Sequence, residues 1–186
     1  MVTHESESSK YERMYAIPGY RGGAGASHAR ELLGRLSPGD AVIDFGAGSG
    51  DAARVLLEAG HEVTLIDITD AGLENNEDLA GRFIKASLHD LPDTLSPAEW
   101  GLCCDVMEHL PEEWVRPALE GMRRLVKRIY FSISGVPDGW GRHIGESLHL
   151  TIKPGEWWHG ELQRYWNVCR LNSISDTTTF VFMGTE

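Results

Sequence analysis

The chain has 186 residues, 41% of them hydrophobic and 24% charged, which supplies a core for one domain and leaves no length for a second. Lys+Arg 17 against Asp+Glu 28 gives a net charge of -11, so nucleic acid and anionic membranes are disfavoured as electrostatic partners. No run approaches the ~20 apolar residues of a membrane span, the polar opening MVTHESESSKYER is unlike a secretory signal, and the three cysteines predict reduced thiols in a cytoplasmic protein.

Residues 1–10 are polar and predict a frayed start. Residues 11–20 are aromatic and end in Pro18-Gly19, and a glycine-rich hinge follows over 21–25. This divides the chain into an N-terminal arm or lid, 1–26, and a single domain, 27–186. Ser27 is placed to cap a helix over 27–36, stopped by Pro38-Gly39. A buried strand is predicted over Ala41–Phe45, then a helix over 51–59. Further strands are predicted over Glu62–Asp67, 82–88 and 100–106. The spacing of Trp114, Val115, Leu119, Met122 and Leu125 predicts a helix over 111–126, and a fifth strand follows over 128–134. Residues 162–171 and 178–185 read as a closing strand pair around a turn at 172–176. Strands alternating with helices predict an α/β fold with a mostly parallel sheet.

The first chemistry lies where the first strand ends, at Asp44-Phe45-Gly46-Ala47-Gly48-Ser49-Gly50. Glycines there let backbone N–H groups approach a ligand that a Cβ would hold away. The next strand ends in Asp67, where a carboxylate reaches ribose hydroxyls. A dinucleotide fingerprint would need glycine at position 51. That position is Asp, whose charge opposes a pyrophosphate, so the spacing favours a cationic nucleoside.

The ordered series DFGAGSG, LIDI, ASLHDLP and CCDVMEHLP resembles the motifs of class I S-adenosylmethionine (SAM)-dependent methyltransferases, closely over residues 40–135. The resemblance implies a Rossmann-like, doubly wound sheet of seven strands, mostly parallel with a C-terminal antiparallel strand, and helices on both faces. It implies SAM as cofactor and S-adenosylhomocysteine (SAH) as product. Gly46, Gly48 and Gly50 would line the methionine moiety, with Asp44 at its amino end. Asp67 would hold the ribose, with Ile68 against the adenine. Ser87 and Leu88 would flank the adenine, with His89 or Asp90 compensating for the acid the family usually has at position 87. Asp105 would lie near the sulfonium.

The run Asp105-Val106-Met107-Glu108-His109 borders the transferred methyl in such enzymes. D-x-x-E-H is similar to the E-x-x-E-H set of metal-assisted O-methyltransferases, which a later histidine, here His149, completes. No metal is expected; were one bound, the resemblance would place it on Asp105, Glu108, His109 and His149. His109 and His149 are the nominees for a general base, needed only if the acceptor must lose a proton. Methyl transfer needs no enzyme nucleophile, so orientation and desolvation carry the reaction. The tyrosines at 11, 15 and 20 are read either as packing or as a cover over the cofactor. The expected acceptor is an O or N atom of a small molecule, with a second subunit of a homodimer as one way to complete the pocket. A SAM-binding protein without transferase activity would share every cofactor residue.

Overall fold

The computed structural model describes residues 2–20, 25–73, 76–171 and 178–186. Seven strands form one sheet: β1 (Ala41–Phe45), β2 (Glu62–Asp67), β3 (Phe83–Lys85), β4 (Ala98–Cys104), β5 (Val126–Ser134), β6 (Asn167–Arg170) and β7 (Thr179–Thr185). Their order is β3-β2-β1-β4-β5-β7-β6, with β1 to β5 paired in parallel and β7 antiparallel to both neighbours. Chain order reverses between β1 and β4, which opens a crevice at the carboxyl ends of those strands, the ligand edge of a doubly wound sheet.

Alternation along the strands feeds two cores. Ile43, Phe45, Ile129, Phe131 and Ile133 face one side of the sheet, where α4 (Glu112–Leu125) and α5 (Gly155–Leu162) cover them with Leu119, Met122 and Trp158. Val42, Val63, Leu65 and Tyr130 face the other side, against Ala29 and Leu32 of α2 (Gly25–Leu33) and Ala53 and Leu56 of α3 (Asp51–Glu58). The cysteines are free, Cys103 buried and Cys169 on the surface. Among the described residues no helix is long and apolar enough to cross a membrane.

The structure corrects several boundaries. The polar start is not frayed: α1 (His4–Tyr15) begins in a capping box, with Thr3 Oγ1 accepting from Ser6 N at 3.1 Å and Ser6 Oγ accepting from Thr3 N at 3.0 Å. Its polar residues Glu7, Ser8 and Lys10 are buried, because the helix lies against the loops at the ends of β2 and β4. Ser27 lies inside α2, two residues past its start. The third strand keeps only Phe83–Lys85, and Leu88–Asp90 turns away as a single helical turn. The fourth ends at Cys104 because Asp105 takes φ +55. Residues 162–166 are not strand: α5 precedes β6, and Trp158 and Leu162, four apart on one helical face, are both fully buried. Residues 21–24 of the expected hinge and the turn at 172–176 lie outside the described residues.

Candidate functional site

A cavity of about 520 Å³ opens at the carboxyl edge of the sheet. It takes in Asp44, Gly46, Gly48, Asp67, Ile68, Ser87, Leu88 and Asp105, together with Glu108, His109 and His149. Residues predicted from four separate segments therefore share one space.

The glycine turn explains the shape of its floor. Gly46 has φ +78, and a Cβ there would collide with Val106 Cγ2. Gly50 stands apart from the rest: it is the left-handed N-cap of α3, a Cβ on it would meet Leu79 Cδ1 at 2.6 Å, and it does not line the cavity. Its role is to turn the chain into the helix. Gly72, which sequence reasoning missed, packs so closely on the turn that a Cβ would strike the Gly48 carbonyl oxygen.

Two carboxyls flank that turn. Asp67 accepts from Gly48 N at 2.9 Å and from Thr69 N at 3.2 Å, which orients it into the cavity. Burial pushes its pKa up, partly offset by these backbone donors. Asp44 is 3% exposed, and its Oδ2 has no hydrogen-bond partner. Burial, then the nearby Asp67, raise its pKa to about 7, against a hydrogen bond from the Ala53 backbone. A buried carboxylate oxygen without a donor beside an open backbone turn is a receptor for a cationic group.

The opposite wall is apolar and aromatic. Leu88, Ile68 and Ala86 line it with Trp114, a residue assigned only to helix packing from the sequence. Ser87 Oγ hydrogen-bonds His89 Nδ1 at 2.6 Å, and that imidazole stacks on Trp114 at 3.8 Å between centroids. Neither His89 nor Asp90 lines the cavity, so both act on it only through Ser87 or Trp114.

The third side gathers the acceptor candidates. Asp105 is held by Ser132 Oγ, which donates to its Oδ1 at 3.1 Å. Glu108 is 0% exposed; its Oε1 accepts from Ser134 N at 2.8 Å, and its Oε2 has no partner. Burial, then Asp105, raise its pKa to about 8. His109 is hydrogen-bonded at Nδ1 to Tyr11 Oη at 2.6 Å, and its ring is also bonded to the Leu148 backbone. Since the Leu148 carbonyl can only accept, the ring gives it a proton, and Nδ1 takes one from Tyr11. Burial, then His149 and Lys10, depress the His109 pKa to about 3. This imidazole is hydrogen-bonded at Nδ1 and held neutral.

His149 differs. Its Nδ1 donates to Val136 O at 2.5 Å, which leaves Nε2 to the cavity. The ligand atoms of Glu108, His109 and His149 lie within 4.8 Å of one another, whereas Asp105 is outside that group. Metal binding there would have to strip Tyr11 and Leu148 from His109, so the residues present do not fit a resident metal.

Helix α1 roofs the site. Tyr11, Tyr15 and Tyr20 all line the cavity, and Tyr20 stands edge-on to both Tyr15 and Trp140, at 5.2 and 5.7 Å between centroids. Ser8 Oγ donates to Ile68 O at 3.2 Å, and Arg13 pairs with Glu146. The tyrosines line the cavity, whereas Trp158 and Trp166 pack the core.

Residues 42–128 match a sequence family described as a methyltransferase domain. No curated protein matches the sequence. Solved structures do resemble it in fold. The PH0226 protein of Pyrococcus horikoshii is 14% identical with a TM-score of 0.71, covering 92% of both chains. The 1,6-didemethyltoxoflavin-N1-methyltransferase of Burkholderia thailandensis, solved with its substrate and SAH, is 17% identical with a TM-score of 0.68, covering 100% of this chain and 92% of that one. The N-methyltransferase NodS of Bradyrhizobium japonicum, solved with SAH, is 13% identical with a TM-score of 0.67, covering 95% and 96%.

Proposed function

We propose that this chain, whose residues 42–128 match a methyltransferase domain, binds SAM in the cavity and transfers its methyl group to an O or N atom of a small molecule. The observation that carries the reading is the partnerless Oδ2 of Asp44 beside the open glycine turn, with Asp67 oriented across it. Asp44 receives the amino group of the methionine moiety, and the backbone at Gly46 and Gly48 runs beside that moiety. Asp67 holds the ribose hydroxyls, with its acceptor capacity only partly taken up by backbone donors. Ile68, Ser87, Leu88 and Trp114 enclose the adenine, and Asp105 lies towards the methyl. The cofactor supplies an activated methyl on a sulfonium. The protein's part is to exclude water under α1 and to hold the acceptor in line with that methyl.

Residues 1–26 act as a cover, since Tyr11, Tyr15 and Tyr20 close the cavity from above. A small acceptor also suits the neighbours: one carries a toxoflavin precursor as its substrate. The reading places the reaction in the cytoplasm.

Calorimetric titration with SAM, SAH and NAD tests the cofactor. Low-micromolar binding or tighter (about 8 kcal/mol) is expected for SAM and SAH, and heat from NAD alone would sink the assignment. The raised pKa of Asp44 adds a second expectation. Below about pH 7 the free carboxyl is protonated and must lose that proton to receive an ammonium, so SAH affinity falls by up to about tenfold per pH unit. Asp67, also shifted upward, acts in the same direction. Asp44→Asn should bind SAH more weakly and with a flatter profile. Wild-type affinity that stays constant between about pH 5.5 and about pH 8 would remove Asp44 from the cofactor site.

A further inference from the structure

The acceptor half of the cavity has a sign. Three of its carboxyls, Asp44, Asp67 and Asp105, are accounted for by the cofactor. Glu7, Asp51, Glu108 and Asp138 also line it, and among the described residues no lysine or arginine does. Glu7 is neutralised by Lys10, and Asp138 is occupied by backbone donors at Gly141 and Leu148, 2.6 and 2.9 Å away. Asp51 stands exposed at the start of α3. Glu108 alone is fully buried with an oxygen that nothing in the protein bonds. An anionic acceptor, a phosphate or a carboxylate, would find no lysine or arginine on this lining among the described residues.

We propose that the acceptor is a small-molecule amine that enters as its ammonium ion, held by Glu108 Oε2 and the faces of Tyr20 and Trp140, and methylated on that nitrogen. This rests on the SAM reading above. The groups converge: Glu108 and His149 present oxygen and nitrogen atoms within 4.8 Å of one another, close enough for one nitrogen to hydrogen-bond to both. Glu108 supplies an acceptor of protons in hydrogen bonding, and His149, fixed by Val136 at Nδ1, supplies a second at Nε2. An ammonium offers donors to both, whereas a carboxylate offers none. Tyr20 and Trp140 line the same cavity, packed edge-on at 5.7 Å between centroids, and aromatic rings suit a cation. The upward shift of Glu108 in the empty site agrees: a carboxyl kept from ionising by burial gains most from an arriving positive charge.

The step balances. The ammonium gives one proton to His149 Nε2, which becomes imidazolium. The freed nitrogen lone pair forms the N–C bond to the methyl as the C–S bond breaks, and that electron pair stays on sulfur. SAH and a methylated ammonium remain, and His149 later returns its proton to solvent.

The test separates head group from body. Phenethylamine, phenethyl alcohol and phenylacetate share one aromatic body and differ in charge. Each is titrated into the SAH-saturated protein, so a failure of SAH itself to bind strikes the cofactor reading and is seen first. Phenethylamine is expected to bind at least about tenfold tighter than the other two, a difference of about 1.4 kcal/mol. Glu108→Gln should erase that preference while leaving SAH affinity within about twofold of wild type. Trp140→Ala, at a residue 41% exposed and so safe for folding, should weaken the amine and leave the alcohol unchanged. Equal or tighter binding of the alcohol or the acid overturns the proposal, as does an amine preference that survives Glu108→Gln. So does no binding of any of the three at millimolar concentration. Mn²⁺ or Zn²⁺ alone is the last arm: saturable binding lost in Glu108→Gln would assign the carboxyl to a metal and overturn the amine.

Discussion

Asp67→Ala should lower SAH affinity about a hundredfold, the largest loss expected from a single substitution in the cofactor half. Two hydrogen bonds from ribose hydroxyls to a carboxylate contribute roughly 1.5 kcal/mol or more each, which together give about 3 kcal/mol, or a factor of ~100. The change also leaves Gly48 N without the acceptor it has at 2.9 Å, so the glycine turn loses its brace at the same time. Asp67→Asn keeps the shape and a carbonyl acceptor but no charge, and its loss should be closer to tenfold. Calorimetry at fixed pH reads both. Affinity for SAH within about threefold of wild type in Asp67→Ala would mean that the ribose lies elsewhere.

Raising the pH should destabilise the ligand-free protein, against the usual flat plateau near neutrality. Glu108 has its folded pKa raised to about 8 from 4.5, so over that window the folded state keeps a proton the unfolded chain has lost. Stability therefore falls as pH rises through the window. Asp44, raised to about 7 from 3.8, acts the same way and is spent above pH 7. His109 acts oppositely: its folded pKa is depressed to about 3 from 6.5, so its contribution rises with pH and is complete above the unfolded value. The two senses oppose each other below about pH 6.5, and only the loss remains above it. Between about pH 6.5 and pH 8 the expected net loss is about 2 kcal/mol, most of it from Glu108. For a chain of this size that is a fall of roughly 6 °C in Tm. Glu161, held below the usual carboxylate range by Arg116, does not interfere, because it acts only at lower pH. Glu108→Gln should remove most of the slope in a thermal melt series. A slope unchanged in that variant would show Glu108 to be ionised already in the empty site.

Much of this site was legible from residue order. The glycine turn and Asp67 are local signals: each sits within a few residues of a strand end, and parallel pairing of β1 with β2 brings those ends together. What failed was whatever depended on distant partners. Helix α1 has no apolar stripe to announce it; its order comes from Ile68, His109 and Glu146, each far away in the chain. His109 looked like a base because its own segment says nothing of Tyr11, which holds it neutral from the arm. Gly72 sits in no motif and matters only because the Gly48 backbone passes over it. The end of the chain was misread as strand at Leu162 because a short, Trp-rich helix offers too few turns for its period to stand out from an apolar run.

The roof over the cavity is held to the body mostly through polar side chains. Helix α1 meets the body through side-chain hydrogen bonds and ion pairs at Ser8, Tyr11, Glu12 and Arg13, with Met14 its one fully buried apolar anchor. The sheet behind it is bonded strand to strand across seven members. Amide hydrogen exchange in α1 is therefore expected to be faster than in the sheet, through a local opening that costs less than global unfolding, and equal protection in the two would count against it.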